Sequence, residues 1–164
     1  MENMEKDALI SDCQKYRYWL SRCWDKNKKS CLFIMLNPST ADDKIDDPTI
    51  KKCVFYAKKF GYGSMFVVNL FAYRATDRSI LKKAEEPVGK NNDKIILQFA
   101  EKADSIITGW GNDGKYLNRS ENIVKLLESR GHKLFCLKLN KSKEPCHPLY
   151  VKNSVLKPIA YFGS

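Results

Sequence analysis

Positions 31–36 are filled by apolar residues without a break (Cys-Leu-Phe-Ile-Met-Leu), and polar residues bound the run on both sides. Such a run predicts a strand buried on both faces. It stops at Asn37-Pro38, because Pro38 has no N–H for a ladder and holds the preceding residue extended. Asn37 is thereby placed at the carboxyl end of a central strand. Ser39 and Thr40, followed three residues later by Asp42 and Asp43, read as capping signals for a turn or helix start. Residues 16–24 partly alternate between polar and apolar. With the polar turn 25–29, they predict an edge strand pairing antiparallel with 31–36.

Downstream the pattern switches between periods. Asp47-Pro48 predicts a helix start with proline at its first position, and Gly61 a stop. A second apolar run, 65–70, ends at Asn69-Leu70 and hands on to a loop, 71–76, bearing Tyr73 and Arg74. A short helix is expected over 77–84. A longer one, capped by Asn92 or Asp93, should bury Ile95, Ile96, Phe99, Ala100 and Ala103. A third strand over 105–110 ends in Gly109-Trp110-Gly111. A helix over 120–130 stops at Gly131, and a fourth strand follows over 133–139. The tail, 151–162, reads as a short helix broken at Pro158. Strand–helix alternation four times over predicts one α/β domain over 1–164. It is a three-layer α/β/α sandwich with a four-stranded parallel sheet plus the N-terminal edge strand.

Each strand then delivers an unusual turn to the same sheet edge: Asn37, Asn69, Trp110-Gly111, and, beyond the fourth, His147. Ligands bind at that edge in open α/β sheets. Taken singly, Asn37 and Asn69 also fit a turn residue and a buried loop-tying amide. Gly109 to Gly114 spells G-x-G-x-x-G, the shape of a dinucleotide fingerprint. However, Trp110 fills the tight turn, the strand is not the first, and no acid follows the next strand for a ribose. Asp42, Asp43, Asp46 and Asp47 are explained by capping and a solvated loop better than by a metal.

Charge adds a partner. The 164 residues carry 29 Lys and Arg against 19 Asp and Glu, a net charge of +10, which favours a polyanion. Arg74, Lys115, Arg119, Lys141 and Lys143 are candidate phosphate contacts. The six cysteines form no C-x-x-C pair, so thiols rather than metal ligands are expected. Cys146 beside His147 has no second base nearby to make it a nucleophile. No apolar run reaches membrane-spanning length and residues 1–12 lack a signal-peptide core, so a cytoplasmic location is expected; the expected state is a monomer.

The four turns together resemble the motif set of the uracil-DNA glycosylase superfamily. Leu36-Asn37-Pro38-Ser39 resembles its water-activating motif in the Asn-Pro version. Val68-Asn69-Leu70 with Arg74 resembles its asparagine motif, and Thr108-Gly109-Trp110-Gly111 its Trp-Gly motif. His147-Pro148-Leu149 resembles its His-Pro-Ser loop, with Leu149 in place of the serine. The resemblance implies a cofactor-free, monofunctional DNA glycosylase acting on a flipped base, here a modified pyrimidine such as the glucosylated hydroxymethylcytosine of phage DNA. It further implies that Asn37 holds the water and His147 donates to a base oxygen. Asn69 would read the base, Phe71 or Tyr73 would stack on it, and Leu149 or Tyr150 would fill the gap in the duplex. The Pro38-Ser39 and Gly111-Asn112 turns would meet phosphates. The alternatives are a non-catalytic nucleic-acid-binding module on the same fold and a nucleotide enzyme using the 109–114 loop.

Overall fold

The computed structural model describes residues 3–162; positions 1–2 and 163–164 of the expected domain, the first two also part of the N-terminal stretch read above, lie outside the described residues. In chain order the strands are β1 (Glu5–Ile10), β2 (Arg17–Cys23), β3 (Ser30–Met35), β4 (Ser64–Asn69), β5 (Ser105–Thr108), β6 (Leu134–Cys136) and β7 (Ile159–Tyr161). The helices are α1 (Pro48–Lys59), α2 (Arg78–Lys83), α3 (Asn92–Lys102) and α4 (Arg119–Ser129). The strands form one mixed sheet in the order β1-β2-β4-β3-β5-β6-β7. Its centre, β4-β3-β5-β6, is parallel, and the outer pairings are antiparallel.

β3 is central because both of its faces are apolar. Leu32 and Ile34 pack with Ile96 and Ala100 of α3 and Ile123, Val124 and Leu127 of α4. Cys31, Phe33 and Met35 pack on the other side with Ile50, Cys53, Val54 and Ala57 of α1. α1 starts where Asp47 accepts the Ile50 N–H and Pro48 occupies the first turn, a cap worth about 1 kcal/mol.

The sheet corrects several expectations. β2 pairs antiparallel with β4, not with the 31–36 strand, and β1 covers its other edge. The tail forms β7 against β6 rather than a helix. Ser39 and Thr40 start no helix: the loop runs on to Asp47, and Asp42 closes a turn by accepting the Lys44 and Ile45 N–H groups. Asn91, at φ 63°, is the residue before α3, while Asn92 turns inward. The acidity of this loop has internal partners. Asp46 pairs with buried Arg22 at 2.8 Å, and the same guanidinium donates to the Asp42 carbonyl.

Candidate functional site

The parallel register brings three of the four turns level. Met35 pairs with Asn69 and Ile34 with Thr108, so Asn37, Asn69 and Gly109-Trp110 leave the sheet at one edge. The fourth turn is drawn in by close packing. A Cβ on Gly109 would lie 2.9 Å from Pro148 Cδ, so only glycine lets the 147–150 loop seat there. The result is a cleft of about 580 Å³ whose walls include Asn37, Ser39, Asp47, Arg78, Trp110, Gly111, Asn112, His147, Leu149 and Tyr150. Below it a chamber of about 30 Å³ is lined by Arg17, Asn37, Pro38, Ser39, Asp47, Asn69 and His147, among others.

Asn37, Asp47 and His147 are each held in one orientation. Asn37 donates through Nδ2 to the carbonyls of Pro38 and Ala75, at 3.1 and 2.7 Å, which presents Oδ1 as an acceptor. The turn after Asn69 is pinned from beneath. Asn92 donates to the carbonyls of Asn69 and Leu70, and Arg119 donates twice to Leu70. Asn69 itself is 1% exposed, and neither atom of its amide has a partner among the described residues. Asp47 is buried, with its oxygens accepting the Ala41 and Ile50 N–H groups, and it faces both the cleft and the chamber.

His147 accepts the Leu149 N–H on Nδ1 at 3.2 Å, so its proton sits on Nε2 and the neutral ring is a donor. Burial pushes its pKa down to about 4, reinforced by Arg78 and opposed by Asp47. The ordinary value is 6.5, so between those two values the unfolded chain binds the proton more readily than the folded one. This contribution to stability is complete above about pH 6.5 and is lost as pH falls through that window. An NMR titration of His147 should give a midpoint near 4. A midpoint at the ordinary value would show the ring to be solvated.

Trp110 is fixed as firmly. Its Nε1–H donates to buried Glu144 at 2.6 Å, and Ser120 donates to the other carboxylate oxygen. Glu144→Ala leaves the indole N–H unpaired and should destabilise the fold by about 2 kcal/mol, with Glu144→Gln keeping most of that. Matched urea-unfolding curves test this.

Other expected site residues fall elsewhere. Phe71 is fully buried in the core with Tyr116 against its ring, and Tyr73 packs edge-on against Tyr16; neither lines the cleft or the chamber. Phe71 belongs to the backbone that continues inward after β4 and Tyr73 bridges to Tyr16, so the two expected stacking residues are not at the site. Arg74 is turned onto the Ser39 carbonyl, and Arg119 onto Leu70 and Asp93. Lys115 lines a separate hollow that shares no lining residue with the cleft. The Gly111 N–H is already donated to the Pro145 carbonyl, and the Asn112 side chain accepts from Asn140 and Ser142. Leu149 and Tyr150 stand exposed at the rim, Tyr150 at 72%. Burial raises the pKa of the Cys146 thiol, and the thiol donates to the His147 carbonyl. Among the described residues no group of three or more His, Cys, Asp or Glu side chains is placed to hold a metal ion, and no helix is long and apolar enough to cross a membrane.

Two site residues escaped the sequence reading. Asp47 was legible only as a cap. Arg17, 2% exposed, lies in what reads as a half-exposed edge strand; its side chain lines the chamber and donates to the Ala41 carbonyl in the loop before α1.

The chain is thus a mixed α/β protein with a polar cleft at the carboxyl edge of its parallel strands. It belongs to the family described as "Protein of unknown function (DUF1643)", which it matches over residues 17–149, a span holding all four turns. No curated protein and no solved structure matches it.

Proposed function

We propose that this protein is a DNA glycosylase of the uracil-DNA glycosylase type, built as a three-layer α/β/α sandwich, that hydrolyses the N-glycosidic bond of a modified pyrimidine. The observation that carries the reading is the meeting of Asn37, Asn69 and His147, spread over more than a hundred residues of chain, around one cleft and the chamber beneath it. A cleft of about 580 Å³ falls in the range of small-molecule sites, roughly 300–1,000 Å³, and accommodates an extruded base with a substituent.

Breaking the bond puts positive charge on the sugar and negative charge on the departing base. Asn37 Oδ1 accepts a hydrogen from the attacking water and aims its lone pair at the sugar carbon. The Asp47 carboxylate on the same wall lowers the energy of the sugar cation. His147, neutral and with its proton on Nε2, donates to a base oxygen as charge grows there. A neutral donor held in place before reaction supplies this without reorganisation. Water adds its oxygen to the sugar, the base departs with the bonding pair and takes up a proton, and an abasic site remains. The excess of basic residues favours the DNA backbone, and Leu149 and Tyr150 at the rim are the apolar groups available to fill the vacated stack.

The test is mass spectrometry of bases freed from a panel of plain and modified DNAs, glucosylated phage DNA included. One modified pyrimidine should be released and alkali-labile sites left behind. Salt-sensitive DNA binding with no base released from any substrate would favour the non-catalytic alternative.

A further inference from the structure

The chamber beneath the cleft holds an unusual inventory of polar atoms. Asn69 and Arg17 are 1% and 2% exposed. Arg17 Nε and both atoms of the Asn69 amide have no partner among the described residues. Both side chains line the same space of about 30 Å³. Elsewhere on Arg17, Nη1 donates to the Ala41 carbonyl and the backbone N–H to the Ala72 carbonyl. Burial lowers the guanidinium pKa to about 10, with nearby Asp47 opposing the shift, so it stays charged at neutral pH. Buried polar atoms are paired in nearly all folded proteins, so an unpaired set facing one space marks a place for a complementary group.

The inventory is specific. Arg17 Nε is a fixed donor, and the Asn69 amide is one donor side and one acceptor side that can be exchanged by rotation. These three unpaired atoms ask for a group with two acceptors and one donor. The Watson–Crick edge of cytosine carries N4–H as donor with N3 and O2 as acceptors. That of uracil carries N3–H as donor with O4 and O2 as acceptors. Guanine offers one acceptor and two donors. Adenine offers one of each and leaves a protein donor unmatched. A space that size has room for an edge and not for a ring. Asn37, Ser39, Asp47, Thr49 and His147 line both spaces, so the ring stays in the cleft while its edge enters below. The C5 position is not on that edge and remains free to carry a bulky substituent.

We infer that Arg17 and Asn69 together read the Watson–Crick edge of a pyrimidine, with Arg17, which lies outside all four motifs, supplying the donor that excludes purines. The inference rests on the base-excising reading and names the class of base the site admits.

Equilibrium binding of deoxycytidine, deoxyuridine, deoxyadenosine, deoxyguanosine and N3-methyldeoxyuridine to the full chain, followed by NMR shift changes, tests it without bond cleavage. Both unmodified pyrimidine nucleosides should bind at least about tenfold more tightly than either purine, and N3-methylation should remove that advantage. Arg17→Lys keeps the buried charge beside Asp47 but not the Nε–H, and it should erase the preference. If that variant does not fold, the N3-methyl comparison on the unaltered protein decides. Equal affinities, or a preference that survives in folded Arg17→Lys, overturn the inference. So does a complex in which a water bridges Arg17 and Asn69 and the base lies elsewhere. Pyrimidine-selective binding with no base released from DNA supports it and overturns the glycosylase reading. Excision that extends to purines does the reverse.

Discussion

Asn37→Ala is expected to lower kcat/KM for base release by about 10²–10³-fold, the loss seen when one preorganised polar group is removed from a reacting centre. The reason lies in how the amide is held. Both hydrogens of Nδ2 are committed to the Pro38 and Ala75 carbonyls, so Oδ1 has one direction available and keeps it before substrate arrives. Removing the side chain loses those two bonds as well, about 1 kcal/mol each, so a melting curve belongs beside the rate measurement. Asn37→Asp separates orientation from basicity. A carboxylate there faces two carbonyl oxygens with nothing to donate and should not restore the rate. Wild-type rates in Asn37→Ala would transfer water positioning to Asp47, the other acceptor on that wall.

Much of this site was legible before any coordinates because the physics was local. Residues 31–36 read as an interior strand because an apolar run of six, stopped by Pro38, is too short for a typical helix. Once four such strands were parallel, their last residues had to share an edge. What escaped depended on neighbours distant in sequence. β1 has four of its six residues exposed and begins with three charged ones, Glu5 to Asp7, so it shows no period to read. Its presence turned β2 from an edge strand into an interior one, and the 41–47 loop closes over that strand, Ala41 accepting from buried Arg17 and Asp46 from buried Arg22. β2 also skipped its sequence neighbour to pair with β4, against the tendency of adjacent strands to associate. Phe71 was misplaced for a related reason. The chain after Asn69 remains buried for three more residues, because Leu70 N–H and Phe71 N–H donate to the Met35 and Leu36 carbonyls and extend the sheet contact past the motif.

Gly114→Ala is expected to destabilise the fold by about 3 kcal/mol or more, at the upper end of what overpacking costs, and to lower the melting temperature by roughly 6–12 °C. A Cβ at this position would stand 2.1 Å from Trp110 Cδ1 and 2.7 Å from Nε1, distances that require something to move. The indole is poorly able to move, with its N–H on Glu144 and its ring edge-on to Tyr161. Relief must come from the 3-10 turns over Asn112–Asn118 or from the indole. Either shift propagates to Asn112 and Asn140 at the cleft wall, so activity should fall together with stability. Trp110→Leu alone also costs stability, because it empties core volume and leaves one oxygen of Glu144 without its indole donor. In the pair Gly114→Ala with Trp110→Leu, the added methyl meets a smaller neighbour. The combined loss should therefore fall short of the sum of the two single losses by about 1 kcal/mol or more. Strict additivity in that cycle would place the strain of Gly114→Ala in the backbone of the turn and not against the indole.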